Sequence, residues 1–446
     1  MLSSNLNSEQ SIRLQNKIFK LRKKARKKKV GKTRNRSLFC FSENKSMTCF
    51  SLLLRVFYSQ GYISKSFEQK NISAPIKFSF NDSYDDCILF FKQVLSSFIF
   101  GQGNIVIDFS RCLHSEMSVF EVLNVIIKEL YLFRSRYNNH LYKKIEKTIK
   151  CIPSLTDAKT NKYLHAFDYH SLDEKFNDGS SYLALDIISG RGKKEYKYNY
   201  KSMACAKIAG FIEESGGVLG VSMNYSARNA LEGFLTEVLN NAEDHSVANS
   251  EWYVNGIAFN ERQHGIDVIE LHLSIMNIGP SMYEGFEATK VENVEMYRRL
   301  EELFEEHSKQ LGFFKPFDKE SLFMLYMLNE GISRIKYQDR SRGNGTMNFI
   351  ESFISLGSFG EIDTRFAAKM NIVSGHGLLI CDNKYKPFLQ NSIKIISLNK
   401  EQDIHKLPDK NYLKTNKEYF PGTILECKIF LNKEYIFQQL ETQTNE

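Results

Sequence analysis

The sequence is poor in proline, in paired cysteines and in long apolar runs. Only seven of its 446 residues are proline, so long proline-rich linkers are not expected. The eight cysteines are scattered singly without a CxxC pair, so neither a zinc site nor a disulfide framework is indicated. No apolar run reaches the roughly 18 residues that a membrane-spanning helix needs, and the first residues lack the apolar core of a signal peptide. We therefore expect a cytoplasmic protein without a membrane span.

Acidic residues are missing from residues 11–36, a segment that holds 13 of the 60 lysines and arginines. The other 47 basic residues are outnumbered by 52 acidic ones, which predicts a mildly acidic body with a basic arm, assigned to residues 1–46. Such an arm suits nucleic acid, anionic lipid or an acidic partner. A solvated arm that only aids solubility explains the same composition, and no base-stacking aromatic pattern distinguishes the two.

Residues 47–190 are assigned to an α/β domain, because the sequence from about residue 76 to 151 alternates between predicted helices and strands. The segment 85–98 predicts an amphipathic helix, 104–110 a buried strand, and 117–133 a long apolar helix. Strands and helices joined by short links are typical of an α/β layer. The phrase IVIDFS followed by a helix resembles the STAS-type domains of bacterial regulators, with an unrelated α/β domain as the alternative.

The stretch FLTEVLNNAEDHS, residues 234–246, predicts a helix with two distinct faces. Apolar residues three and four positions apart form one stripe, while Glu237, Asn241, Asp244 and His245 form a wholly polar one. A carboxylate and an amide are poor solubilising residues but good ligands. An amide oxygen suits Mg²⁺, which takes few protein oxygens together with phosphates and water. A carboxylate one turn earlier can hold a water for attack on a phosphoryl group.

The pattern E-x-x-x-N-A with a following histidine resembles the N-box of the GHKL superfamily, which includes gyrase, DNA mismatch-repair ATPases, sensor histidine kinases and anti-sigma kinases. Two predicted strands follow, 251–260 and 267–282. Near the end of the second, the family has D-x-G-x-G, whose acid accepts a hydrogen bond from the adenine amino group. Here Asn277 takes the place of the acid, Gly279 is kept, and Ser281 replaces the second glycine. The resemblance implies that Asn277 and Gly279 bind adenine, with a weaker, neutral acceptor.

Residues 285–342 are charged and helical in character, and the resemblance implies a lid over the triphosphate. Gly343-Asn344-Gly345-Thr346 then opens a predicted helix and resembles the second glycine box of the family, where Arg342 would add positive charge. A glycine-rich turn at a helix N-terminus lets backbone N–H groups reach phosphate oxygens.

The last predicted strands lie in two segments. Residues 368–382 predict a hairpin of two strands around a glycine turn. Pro421-Gly422-Thr423 precedes an apolar strand, and the resemblance implies that the hydroxyl group of Thr423 reaches the phosphates.

The predicted fold class is α/β (α+β), with a GHKL-type α/β sandwich and mixed sheet in residues 191–446 after the smaller α/β domain. The expected function is an Mg-dependent ATPase that acts as a conformational switch in a bacterial regulatory, stress or defence pathway. Glu237 would be the base, Asn241 the Mg²⁺ ligand, and ATP the bound cofactor. The nucleotide would also contact Asp244, His245, Asn277, Gly279, Arg342, Gly343, Gly345, Thr346 and Thr423.

Two other functions agree with the same residues. One is an anti-sigma-like protein-serine kinase, whose substrate hydroxyl group would lie on the N-terminal domain. The other is a nucleotide-sensing scaffold that binds ATP without turnover. A sensor histidine kinase is disfavoured because residues 191–230 contain no histidine. An unidentified protein partner is expected. The resemblance also allows a homodimer, since many members of the superfamily dimerise outside the nucleotide fold, but no segment of this sequence marks such an interface.

Overall fold

The computed structural model divides the chain into two compact units, one drawn from residues 1–115 and 122–174 and the other from 116–121 and 175–446. The described residues are 71–100, 104–140, 148–167, 182–191, 200–220, 222–223, 225–244, 251–263, 265–310, 316–329, 350, 366–390 and 393–432. No helix in these ranges is long and apolar enough to cross a membrane.

The first unit contains short parallel strands and helices, as the alternating pattern predicted. Its strands are β1 (Asn71–Ser73), β2 (Lys77–Phe78), β3 (Ile105–Asp108), β4 (His114–Ser115) and β5 (Ile149–Ile152). Its helices are α1 (Phe80–Phe100, with a break at Ser83), α2 (Met117–His140, whose first residues belong to the second unit) and α3 (Ala158–Ala166). The three-stranded sheet has the order β1-β3-β5, and β2 pairs with β4. Ile105 and Ile107 of β3 are buried, which confirms the predicted strand.

The second unit is built on a five-stranded sheet with the order β6-β7-β8-β12-β9. Its strands are β6 (Tyr182–Arg191), β7 (Glu251–Gln263), β8 (Ile266–Ile278), β9 (Lys369–Cys381), β10 (Phe388–Gln390), β11 (Ile393–Ile395) and β12 (Leu413–Leu431). Its helices are α4 (Tyr200–Gly217), α5 (Tyr225–Asp244), α6 (Met282–Glu287), α7 (Val294–Gln310) and α8 (Lys319–Tyr326). Every neighbouring pair in the sheet is antiparallel, so the expected mixed sheet was wrong. The reason is that β12 lies between β8 and β9 and runs opposite to both.

One face of this sheet and the helices form a single apolar core. Trp252 and Leu273 from the sheet, Ile208 from α4, Leu239 from α5 and Phe323 from α8 all belong to it. The strand β8 is buried almost throughout, as expected for a strand that is covered on both faces. The helices α6, α7 and α8 occupy the described part of the segment predicted to be a lid, and they contribute buried residues to the core. That part is a folded layer of the unit.

The hairpin predicted over residues 368–382 was wrong, because β9 runs unbroken from Lys369 to Cys381. Gly375 has a φ of +59°, and the register with β12 shifts on both sides of its pairing with Phe420. The extra residues at both shifts, 416–419 and 421–422, belong to β12, so the irregularity of β12 lies opposite Gly375. The strand β9 itself continues along residues 413–415 of β12.

A row of polar residues crosses the other face of the sheet. Asn255, Ser274, Glu426 and Asn371 are neighbours on four successive strands. The carboxylate of Glu426 accepts hydrogen bonds from the backbone of Met117 at 3.0 Å, from the hydroxyl group of Ser118 at 2.7 Å and from the amide of Asn371 at 3.4 Å. Burial, together with the charge of Glu116, raises the pKa of Glu426 from 4.5 to about 7.

This buried carboxyl group predicts a pH-dependent stability. Its pKa is raised in the folded state, so its neutral form is favoured there, and its contribution is complete below about pH 4.5 and lost as the pH rises through about 7. Burial also raises the pKa of the facing Glu121, and Lys369 lies 3.9 Å from Glu116. Chemical denaturation at several pH values between about 5 and 7 should give a falling free energy of unfolding, and Glu426→Gln should flatten this slope.

The matched control is Glu305→Gln on an exposed position of α7, which should leave the slope unchanged. An unaltered slope in Glu426→Gln would show that the buried carboxyl group does not cause the pH dependence.

Candidate functional site

Asn277 ties together three elements of the second unit. It lies next to the end of β8 and is only 2% exposed. Its side-chain nitrogen donates a hydrogen bond to the carbonyl oxygen of Ala242 in the last turn of α5, at 3.1 Å. Its side-chain oxygen accepts a hydrogen bond from the backbone N–H of Thr423 on β12, at 2.9 Å. One side chain therefore joins positions that are 35 and 146 residues away in the sequence.

The same contacts explain why an amide suits position 277 better than a carboxylate. An ionised aspartate only accepts hydrogen bonds, whereas the carbonyl group of Ala242 needs a donor. The amide of Asn277 supplies both a donor and an acceptor. Its oxygen has a second lone pair and its nitrogen a second hydrogen, so each has the chemical capacity for one further hydrogen bond. Asn277 is thus a structural junction that retains one acceptor site.

The backbone of residues 421–423 lies directly against the end of β8. Gly422 has a φ of +124°, and a Cβ atom there would lie 2.1 Å from the carbonyl oxygen of Asn277. Only glycine permits both this conformation and this approach. The backbone N–H of Gly279 also donates to the carbonyl oxygen of Pro421 at 3.4 Å. The glycine-containing turn after β8 and the Pro-Gly-Thr segment are therefore packed against each other.

The hydroxyl group of Thr423 is hydrogen-bonded to Ser374 of β9, with the two oxygens 3.0 Å apart. The hydroxyl group of Ser374 also donates to the carbonyl oxygen of Gly422 at 2.9 Å and accepts from the backbone N–H of Met282 at 2.9 Å. Ser374 was not identified from the sequence, where a serine beside a glycine indicated only a turn. It fixes the orientation of Thr423 and connects β9 to the start of α6.

Ser281 is the N-cap residue of the helix α6. It is fully buried, and its hydroxyl group accepts a hydrogen bond from the backbone N–H of Glu284 at 3.2 Å. The carboxylate of Glu284 accepts in turn from the backbone N–H of Ser281 at 3.0 Å. This reciprocal pair is a capping box, which satisfies two backbone donors at a helix N-terminus. The serine at this position thus has a structural role at the start of α6.

The polar face of α5 carries Glu237 and Asn241, both half-buried. Lys201 of α4 lies beside this helix, where its amino group donates to the side-chain oxygen of Asn240 at 2.6 Å and pairs with Glu243 at 2.5 Å. Lys201 was also missed from the sequence, because nothing in the local pattern of α4 indicates a partner on α5. It holds the last turns of α5 against α4.

The structure brings several of the predicted site residues into one region of the second unit. Asn241 directly precedes Ala242, so it lies next to the junction formed by Asn277 and Thr423, and Gly279 is two residues beyond that junction. Of Asp244, the last residue of α5, only the backbone is described. The residues His245, Arg342, Gly343, Gly345 and Thr346 lie outside the described residues.

The described residues contain no group of three or more His, Cys, Asp or Glu side chains that would enclose a metal ion. Mg²⁺ does not require such a group, because it is commonly bound through one or two protein oxygens together with substrate phosphates and water. A half-buried amide and a carboxylate one helical turn apart, as in Asn241 and Glu237, fit that mode of binding.

Comparison with family models, with curated proteins and with solved structures gives no match to this chain. The interpretation of the site therefore depends on its own residues. Its main feature is the convergence of α5, the end of β8 and residues 421–423 of β12 on Asn277.

Proposed function

We propose that the second unit binds Mg-ATP beside the Asn277 junction and hydrolyses it. The observation that carries this proposal is the pair of hydrogen bonds from Asn277 to Ala242 and Thr423. Three segments that were singled out separately in the sequence are held together by this one side chain. If these polar residues and glycines were a chance pattern, there would be no reason to expect α5, the end of β8 and residues 421–423 to be in contact.

In this proposal Asn241 would provide the protein oxygen that holds Mg²⁺, and the ion would supply positive charge to the phosphates. Asn277 offers its remaining acceptor site to the adenine amino group, and Gly279 allows the base to approach the backbone. Glu237 lies on the same face of α5 as Asn241, one turn earlier, and takes the proton from the attacking water. The backbone amides of residues 343–346 are the proposed phosphate ligands.

The proposed conformational change on ATP binding also involves the Asn277 junction. Binding beside Asn277 acts on α5 and on β12 together, because both are hydrogen-bonded to this side chain. Ser374 extends the connection from Thr423 to the start of α6. A ligand that favours one arrangement of these contacts shifts the population of that arrangement. We therefore expect the contacts around Asn277 to be the ones that change when ATP binds.

The experiment that tests the function follows the fate of the γ-phosphate. Purified full-length protein is incubated with γ-labelled ATP and Mg²⁺, and inorganic phosphate and labelled protein are quantified separately. We expect release of inorganic phosphate without labelling of the chain. A stoichiometric label on a serine or threonine would instead show the protein kinase. Binding of ATP without either product would show the nucleotide-sensing scaffold.

A further inference from the structure

A concave site lies at the far end of β9 in the second unit. It is a pocket of about 330 Å³ lined by residues of the turn after β9 and of the loop before β12, namely Lys384, Tyr385, Lys386, Ser397, Leu398, Asn399, Lys400 and Gln402. This volume is at the lower end of the range for small-molecule sites. Ser374 and Cys381 are seven residues apart on β9, so at about 3.3 Å per residue the pocket lies roughly 20 Å from the Asn277 junction.

The floor of the pocket is buried and rigidly hydrogen-bonded. Ser397, Leu398 and Asn399 are each at most 5% exposed. The amide nitrogen of Asn399 donates to the carbonyl oxygens of Asp403 at 2.8 Å and Lys406 at 3.0 Å. These hydrogen bonds fix the conformation of the loop from Asn399 to Lys406, which includes Lys400 and Gln402.

The pocket has an excess of positive charge. Lys384 is neutralised by Asp409 at 3.0 Å, and Asp409 also accepts a hydrogen bond from Tyr385 at 2.9 Å. Burial alone would raise the pKa of Asp409, but its hydrogen bonds to Asn411, Lys384 and Tyr385 lower it to about 2, so this acid stays ionised. Within the described part of the chain, the exposed side chains of Lys386 and Lys400 form no ion pair. Two positive charges therefore remain unbalanced.

The backbone of the pocket is strained at two positions. The described residues include two non-glycine residues with positive φ, Leu398 at +54° and Gln402 at +50°, and both line this pocket. Such conformations are unfavourable for residues that carry a side chain, and they cluster at ligand sites. The backbone N–H of Asp409 donates to the carbonyl oxygen of Leu398 at 2.8 Å, which helps to hold the strained residue.

We propose that this pocket binds a small phosphomonoester. A phosphomonoester carries a charge of about −1.5 to −2 at pH 7, which matches the two unbalanced lysines. Lysine is a common point-charge ligand for phosphate. Gln402 is exposed and offers a neutral amide to the rest of the molecule. The hydroxyl groups of Tyr385 and Ser397 already donate to Asp409 and Asn399, so they offer lone pairs only. The enclosed floor and small volume favour a soluble metabolite over a lipid headgroup.

The experiment is isothermal titration of the full-length protein with ribose 5-phosphate. We expect saturable binding that falls at least tenfold in the double variant Lys386→Gln/Lys400→Gln. The matched control is Lys406→Gln/Lys410→Gln, which removes the same charge from exposed lysines of the same loop that do not line the pocket. It should keep the wild-type affinity, and so should Asn241→Ala, which separates this site from the proposed ATP site.

Three results would overturn the proposal. The first is no binding by the wild type, and the second is an equal loss in both double variants, which would show only a diffuse effect of charge. The third is equally tight binding of succinate, which would exclude selectivity for phosphate. Vesicles of phosphatidylcholine with and without phosphatidic acid identify the source of the phosphate. Lysine-dependent binding to the phosphatidic acid vesicles alone would overturn the assignment to a soluble metabolite.

Discussion

Replacing Glu237 with glutamine is expected to lower ATP turnover by about 10²- to 10⁴-fold, the usual contribution of a positioned general base. Glutamine keeps the size of the side chain and its hydrogen-bonding capacity but cannot take a proton. Binding of Mg-ATP should therefore remain close to that of the wild type. Steady-state phosphate release and equilibrium binding, measured on the same preparations, separate the two effects.

The matched control for this substitution is Glu214→Gln, an exposed glutamate on α4. It should leave both turnover and binding unchanged. Equal turnover in Glu237→Gln and the wild type would remove Glu237 from the reaction, and a loss of binding in Glu237→Gln would assign it to nucleotide or Mg²⁺ binding instead.

Replacing Asn277 with aspartate is expected to destabilise the protein by about 3 kcal/mol near pH 8, within the range for a buried charge that loses its partner. The new carboxylate would face the carbonyl oxygen of Ala242, to which the wild-type amide donates a hydrogen bond. Protonation of the carboxyl group would restore a donor, so the loss should be smaller at low pH. Thermal and chemical denaturation at several pH values provide the measurement.

The ATP affinity of Asn277→Asp also distinguishes the role that the structure gives Asn277 from the role that the sequence pattern predicts. Aspartate is the residue of the GHKL pattern at this position, so the pattern alone predicts tighter binding of ATP to the variant. The structure predicts no gain in affinity, because the junction that shapes the site is broken. The control is Asn260→Asp, the same change at an exposed position of β7. A stable Asn277→Asp variant with tighter ATP binding would contradict the assigned role of the amide.

The sequence was informative wherever a local pattern determined the structure. The apolar runs of residues 251–260 and 267–282 predicted β7 and β8, and the two-faced pattern of residues 234–246 predicted the end of α5. In each case the period of the apolar residues is enough to indicate the element, because that period follows from backbone geometry. The N-terminal alternation of strands and helices was predicted for the same reason.

Other features depend on partners that are distant in the sequence. Gly375 looked like the tip of a hairpin, yet its strand continues because β12, some 40 residues later, provides the partner. The amide of Asn277 was interpreted as a weakened adenine ligand, while its donation to Ala242 was not foreseeable from either segment. Ser281 likewise looked like a lost glycine and is the N-cap of α6. The contacts of these residues could not be predicted from the local sequence, because their partners are distant in the chain.

The central claim is that Mg-ATP binds beside the Asn277 junction, and the most direct test is isothermal titration of the full-length protein with ATP, with and without Mg²⁺. We predict one saturable site whose affinity depends on Mg²⁺. Asn241→Ala should abolish this dependence, whereas Asn229→Ala, an exposed asparagine earlier on the same helix, should keep it. Absence of ATP binding by the wild type, or the same Mg²⁺ dependence in Asn241→Ala, would contradict the claim.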